Sequence, residues 1–416
     1  MGKDNIIIGL DIGTSNIRVV VASLRDKEEK PKIIGIGEVP SSGIRKGVII
    51  DIEEVVENIK KAVDQAELSS GVPINHAYVS IGGDHINIRE NKGLVAVSRA
   101  DQEVSEEDIS RVIESASAIS LPPNREIIHI IPRSFKLDSE ENIQDPIGMT
   151  GARLEVNALI IDGLSPYIKN LTKCLLGADV KIDGLLLNSL AAAQAVLSKR
   201  QKELGVLVLD LGGGSSGMAV YEEGKLLHAH VLPVGSAHIT NDIAIGLRTT
   251  IDIAEKIKLQ YGFALASEVK KGENIDLSQL DENEEETIKK KEIAKIIEAR
   301  IQELFDLVNK ELKKINKQRL LPAGVILVGG GALMPKIIDL AKKELGLPAE
   351  IGSSSSRIES VVNKENDPSF ATAIGLVLSA AKTQKRGDQK VHFLSDIPAS
   401  SVTVGKIKKW FRSLLP

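Results

Sequence analysis

Several things are scarce in this sequence, and each shortage removes a class of protein. Cys174 is the single cysteine among 416 residues, so neither an intramolecular disulfide nor a cysteine-based zinc cluster is available. Aromatic residues make up 3% of the chain, which leaves the core to Ile, Leu, Val and Ala. No run of roughly 18 or more residues is apolar throughout, so no membrane-spanning helix is expected. The formal net charge of −4 supplies no global basic field, and no nucleic-acid partner is expected. The chain opens Met1-Gly2-Lys3-Asp4-Asn5 and passes straight into a strand-like run, so no secretory leader is expected. Ile6 stands where a myristoylation motif needs Ser or Thr. A reducing cytoplasm fits these features. What remains is ordinary for a soluble protein, 42% hydrophobic and 26% charged, with length for two or three domains.

The pattern along the chain is that of a repeated unit. Ile6-Ile7-Ile8-Gly9-Leu10 reads as a buried strand and meets the turn Asp11-Ile12-Gly13-Thr14-Ser15-Asn16. Strands over 17–22 and 33–39 follow. A helix is expected over 52–68, with Ile52, Val55, Val56, Ile59 and Val63 on one face. The same order returns later. Val206-Leu207-Val208-Leu209 meets Asp210-Leu211-Gly212-Gly213-Gly214-Ser215-Ser216-Gly217, and strands over 218–221 and 226–234 precede a helix from about 239. Leu10-Asp11-Ile12-Gly13 overlays Leu209-Asp210-Leu211-Gly212, an internal duplication at long period.

Between the copies the texture changes. Strand-like runs over 78–81, 85–89, 94–97, 127–137 and 154–161 surround one helix at 105–119, opened by Ser105-Glu106-Glu107-Asp108 in the manner of a capping box. This reads as an α+β insertion. Helices at 167–176 and 190–197 follow. The Glu- and Lys-rich stretch 252–319 reads as mostly helical, and its acidic run 281–286 as solvated surface. Val325-Ile326-Leu327-Val328 is another buried strand, meeting Gly329-Gly330-Gly331 before a helix near Pro335. A small-residue helix over 371–381 precedes a polar linker.

The two Asp-Gly turns are the centre of the chemistry. Glycine lets backbone approach a phosphate and aim N–H groups at it. Thr14, Ser15, Asn16, Ser215 and Ser216 add short donors. Asp11 and Asp210 end equivalent strands and face one space if the halves oppose each other. Two carboxylates beside a polyphosphate suit Mg²⁺, which keeps several of its waters. Either turn alone reads as a tight hairpin; the duplication favours a shared phosphate site. Gly212 to Gly217 also satisfies G-x-G-x-x-G, but that fingerprint requires a following helix and a strand follows here. No P-loop sequence occurs. The third turn at Gly329-Gly330-Gly331 reads either as a generic strand-to-helix turn or as backbone lying flat beside a nucleotide. Glu255 and Lys258, three apart on one helix face, read as a surface ion pair or as partners for a ribose and a base. His228 and His230 share a strand face but lack an evident third metal ligand. Ser353-Ser354-Ser355-Ser356 reads as a surface loop, and Cys174 as inert core.

The end of the chain is different in kind. Ile407, Trp410, Phe411, Leu414 and Leu415 form one helical face, and Lys406, Lys408, Lys409 and Arg412 occupy the remainder. An apolar face carrying the chain's single Trp, opposite a basic face, is the pattern of an interfacial membrane helix. A linker of about 23 residues spans roughly 25–30 Å as coil, enough to let it reach a surface.

Taken together, 11–16, 210–217 and 328–335 resemble the phosphate 1, phosphate 2 and adenosine motifs of the actin, sugar kinase and heat-shock chaperone ATPase superfamily, with connecting helices near 187–197 and 371–378. Within it the chain resembles the FtsA family of bacterial cell division proteins. Three features carry that likeness: the insertion, the stretches Gly235 to Ala244 and Asp252 to Lys258, and the tail. The resemblance implies an α/β actin-like ATPase fold of two duplicated ribonuclease H-like domains. The first is expected at 1–83 and 164–204, the second at 205–247 and 323–381. An inserted α+β subdomain at 84–163, a helical or mixed subdomain at 248–322, a linker at 382–404 and an amphipathic helix at 405–416 complete it. The resemblance further implies ATP and Mg²⁺ as ligands. Gly13, Thr14, Ser15, Asn16, Gly212, Gly213, Gly214, Ser215, Gly235, Glu255, Lys258, Gly329, Gly330, Gly331 and Leu333 are then nucleotide contacts, with Asp11 and Asp210 on Mg²⁺ through water. It also implies self-association into actin-like filaments and tethering of the FtsZ ring by its C-terminal tail. Lipid contact through 405–416, later division proteins as partners and a peripheral place on the cytoplasmic side of the membrane at the division septum follow. One departure bears on mechanism. Asn188 stands where the chaperones place a Glu near the attacking water, and an Asn orients water without taking its proton. Weak or no hydrolysis is therefore expected, and no catalytic base is named. The alternatives are a PilM-like pilus-assembly scaffold and a small-molecule kinase of the same superfamily.

Overall fold

The computed structural model describes residues 5–25, 30–280 and 287–385. The acidic run at 281–286 and the amphipathic segment at 405–416 lie outside the described residues, as does the linker beyond 385.

Two sheets share one strand plan. In the first, Asn5–Ile12, Asn16–Leu24 and Lys32–Pro40 form an antiparallel meander. His76–Ile81 and then Lys181–Leu187 add in parallel on the other side of Asn5–Ile12. In the second, Val206–Leu211, Ser216–Glu222 and Lys225–Leu232 form the meander, and Val325–Val328 and Ala349–Ile351 add in parallel. Numbered within each unit, both sheets run 3-2-1-4-5. The short strand Glu359–Ser360 then returns from the second half to pair with Lys32–Pro40 of the first. Central strands covered on both faces read as unbroken apolar runs, and every residue of Val206–Leu211 is buried.

The connecting helices interlock the halves. Asn188–Val196 leaves the first sheet and packs mainly on the second, while Ala371–Lys385 leaves the second and packs on the first. The two helices also cross each other at small residues. A Cβ on Gly375 would stand 1.8 Å from the Ala191 carbonyl oxygen, and one on Gly9 2.3 Å from that of Ala373. The absent side chains set how closely backbone meets backbone. The last helix runs to Lys385, past the expected end at 381.

The insertion forms a separate antiparallel sheet ordered Asn87–Ala96, Arg153–Leu164, Arg125–Leu137, Glu140–Ile143. Glu106–Ser117 lies across it over its own core of Val112, Leu154, Val156 and Ile160. That helix starts with the expected capping box between Ser105 and Asp108. The strands expected at 85–89 and 94–97 are one strand, 87–96. Its Gly93 is a packing position rather than a break, since a Cβ there would lie 2.1 Å from the Val112 carbonyl oxygen of the covering helix. Residues 82–86 form a turn instead of a strand.

The region expected as mostly helical holds Ile251–Tyr261 and Lys290–Lys314, but also an antiparallel ribbon, Asn274–Asp276 with Thr287–Lys289. Strands of three residues carry too little period to be read from sequence. The serines at 353–356 lie in a loop with Ser353, Ser355 and Ser356 exposed, as expected; Ser354 is buried, its hydroxyl donating to the Glu365 carbonyl at 2.7 Å. Cys174 is buried as expected.

Candidate functional site

The two glycine turns face each other across a single cleft. In each, a glycine packs under its own hairpin: a Cβ on Gly13 would lie 2.7 Å from the Asn16 carbonyl oxygen, and one on Gly212 2.6 Å from that of Ser215. The turns nearly touch. A Cβ on Gly213 would stand 2.1 Å from Ser15 Oγ, and one on Gly214 2.6 Å from Thr14 Oγ1. Only glycine allows this approach between halves. A cavity of about 510 Å³ lies between them.

Asp11 and Asp210 sit at the strand ends on its wall, 7% and 8% exposed. Burial pushes the Asp11 carboxyl above the usual carboxylate range, against a hydrogen bond donated by Ser80 Oγ at 2.6 Å and the nearby Arg18. Burial, and then the Asp11 charge, push Asp210 up to about 7; the Thr372 hydroxyl at 3.5 Å and Arg18 oppose them. Two buried carboxylates that repel each other form a site short of positive charge. Their oxygens are the hard donors that Mg²⁺ takes, and two are enough when waters and phosphate complete the shell.

One end of the cavity belongs to the second half. Lys258, 8% exposed, donates to Glu255 Oε2 at 2.6 Å, Thr240 Oγ1 at 2.9 Å and the Ser236 carbonyl at 3.4 Å. The pair is thus held in the cavity wall, which corrects its reading as a surface ion pair. Leu259, Leu333 and Met334 add an apolar surface beside it, and Gly329, Gly330 and Gly331 complete the wall. Leu259 is 73% exposed and Leu333 60% exposed, an arrangement suited to covering a flat ring. Every residue singled out from the sequence as a nucleotide contact lines this cavity except Gly235. That residue supports the second hairpin from behind, where a Cβ would lie 2.5 Å from the Gly213 carbonyl oxygen.

Asn188 also lines the cavity, as the first residue of its helix. Its Oδ1 is buried without a hydrogen-bond partner, as is Ser189 Oγ. Sequence reasoning missed Ser80, near the end of its strand, and Thr372, in the first turn of its helix, neither of which carries a local signal. It also missed the turn at Lys46 and Gly47, whose Gly47 N–H donates to Thr14 Oγ1 at 2.9 Å, and the pair Gly82 and Gly83. Both of those carry turn chemistry that is visible in the sequence. His228 and His230 meet Glu311, at 3.3 and 3.8 Å. Even so, no group of three or more His, Cys, Asp or Glu is arranged to hold a metal among the described residues.

Comparison with known proteins gives the family and the fold. The family model "Cell division protein FtsA" matches residues 207–375, and "SHS2 domain inserted in FTSA" matches 83–162. The cell division protein FtsA of Bacillus subtilis (strain 168) is 38% identical over 94% of this chain and 87% of its own length. The chain belongs to the FtsA family of cell division proteins. FtsA of Pseudomonas aeruginosa is 33% identical over 97% of both chains. Escherichia coli K12 FtsA is 30% identical over 98% of this chain and 97% of its own. Among solved structures, a PilM-PilN type IV pilus biogenesis complex matches with a TM-score of 0.64 at 18% identity, over 89% of this chain and 97% of that one. MreB5 of Spiroplasma citri bound to ADP matches with a TM-score of 0.51 at 16% identity, over 92% and 98%. The fold is that of the actin-like ATPases, with the FtsA insertion in place. No helix among the described residues is long and apolar enough to cross a membrane.

Proposed function

We propose that this FtsA-family protein is a nucleotide-dependent adaptor that ties the division ring to the membrane. The observation that supports it most is the meeting of the duplicated hairpins around one cavity, with two charge-starved carboxylates on its wall. ATP fits that arrangement. On this reading the turns 11–16 and 212–215 wrap its phosphates, and Glu255 and Lys258 address its ribose and base. Gly329, Gly330, Gly331 and Leu333 lie along the base, and Gly235 braces the second hairpin. Asp11 and Asp210 hold Mg²⁺ through water; the ion supplies the positive charge that phosphates and carboxylates share. Asn188 orients water without accepting its proton, so ATP acts mainly as a conformational ligand joining the halves.

The actin-like domains are then 1–83 with 164–204 and 205–247 with 323–381, carrying the insertion 84–163 and the subdomain 248–322. Molecules closed on nucleotide self-associate into actin-like filaments at the inner face of the cytoplasmic membrane. Residues 405–416 hold them there, each helix weakly and the polymer strongly. The surface of 248–322 receives the C-terminal tail of FtsZ, and later division proteins join. The test is liposome co-sedimentation of the full chain and of a chain ending at residue 404, with ATP or ADP, with and without FtsZ. The full chain is expected to pellet and to carry FtsZ with it. Equal pelleting of both chains would refute the tether.

A further inference from the structure

The cavity continues past the hairpins. Part of its wall comes from the first half, with Gly47, Gly82, Gly83, His85, Tyr167 and Asn188. Close approaches link this wall to the phosphate turn. Gly47 N–H donates to Thr14 Oγ1 at 2.9 Å, a Cβ on Gly47 would lie 2.6 Å from Gly83 Cα, and one on Gly83 3.1 Å from His85 Nδ1. On the other side, a Cβ on Gly82 would lie 3.0 Å from the Asn188 side chain.

His85 is 6% exposed and meets Tyr167 edge-on, the ring centroids 5.1 Å apart at 82°. Neither of its ring nitrogens has a hydrogen-bond partner, and neither does Asn188 Oδ1. Burial lowers its pKa to about 4; the charge of Asp84 works against this and that of Arg125 adds to it. A neutral imidazole offers one N–H donor and one lone pair. A buried polar ring without a partner is costly, and because His85 lines the cavity, a bound ligand is a source of that partner. With a base lying at Leu333 and phosphates between the hairpins, the last phosphate of a triphosphate points at this wall. A diphosphate stops short of it.

We propose that His85 is a terminal-phosphate contact: its ring hydrogen-bonds the outermost phosphate of a bound nucleoside triphosphate, directly or through the water that phosphate holds, and thereby separates triphosphate from diphosphate. This rests on the nucleotide reading of the cleft. His85 needs no charge for the role, since the cation between Asp11 and Asp210 carries that part.

The test compares binding of Mg²⁺·AMPPNP and Mg²⁺·ADP by the full chain and by His85→Phe and His85→Gln. Phe keeps the edge-on contact with Tyr167 and removes both nitrogens; Gln keeps one donor and one acceptor. The expected result for His85→Phe is an AMPPNP dissociation constant raised about tenfold, the size of one hydrogen bond to a charged group. The ADP constant stays within twofold, and His85→Gln recovers most of the loss. A side chain that only packs would leave both nucleotides unaffected in His85→Phe, and that result overturns the proposal alone. Wild-type protein that bound neither nucleotide would overturn it together with the cleft reading. If the Phe chain does not fold, the His85 Cε1–H resonance of wild-type protein decides. It is expected to shift with AMPPNP and not with ADP, and equal spectra overturn the proposal.

Discussion

Asp210 makes the nucleotide-free protein sensitive to pH in a direction opposite to ordinary acid denaturation. Its carboxyl is raised from 3.8 to about 7 by burial and by Asp11. Between those values the folded protein binds a proton at this site that the unfolded chain does not. Stability is therefore fully present below the lower value and falls as pH rises through the upper one. Each unit is worth about 1.4 kcal/mol, so raising the pH from about 5 to about 7 removes roughly 3 kcal/mol. Asp210→Asn abolishes this slope. Urea unfolding without nucleotide is expected to show the variant up to roughly 4 kcal/mol more stable than the parent above about pH 7.5, with the gap closing toward pH 4. A cation between the two aspartates reverses the preference, so Mg²⁺·nucleotide binding near pH 6.5 is expected to release about one proton in the parent and fewer in the variant. Calorimetry in two buffers of different ionisation enthalpy reads that release. A parent stability flat between about pH 5 and pH 8, or a variant with the parent's slope, would refute the reasoning.

Two further predictions test the closed cleft and the hinge of the insertion. Gly213→Ala places a methyl 2.1 Å from Ser15 Oγ, so nucleotide affinity is expected to fall about tenfold or more while the nucleotide-free melting temperature moves by only a few degrees. Unchanged affinity in a fluorescent-nucleotide titration would show that the hairpins do not need to approach. Asp162 is fully buried and paired with Arg125 and, at 3.0 Å, with Arg89, where the chain crosses between the first sheet and the insertion. Asp162→Asn leaves both guanidinium groups underpaired and is expected to cost roughly 3–5 kcal/mol, seen as faster hydrogen exchange across 87–164. Exchange at the parent rate would remove Asp162 from that role.

The strands and the phosphate turns were legible because their signals are local. A short run of aliphatic residues ending in Asp-x-Gly announces a strand and a tight turn wherever it occurs, and the same signal twice announced a duplication. The division of 87–96 into two runs missed that Gly93 continues the strand; the reason for that glycine, a helix carbonyl lying against it, comes from a residue about twenty positions away. The ribbon at 274–289 was too short to carry a period. Ser80 and Thr372 had no signal at all, since each matters only through an aspartate far away in the chain.

The sequence by itself determined the two-fold plan, the separate insertion, the glycine turns and the basic, Trp-bearing end. Each is written in residue spacing or composition, which need no partner to be read. Tertiary structure decided how the halves meet. It brought Ser15 against Gly213, moved Lys258 out of solvent into the cavity wall, set Asp11 to raise the proton affinity of Asp210, and left His85 on the cavity wall with its ring nitrogens unpartnered. Those are distances and burials between residues far apart in the chain. They arise only when the two sheets close on one another through Asn188–Val196 and Ala371–Lys385.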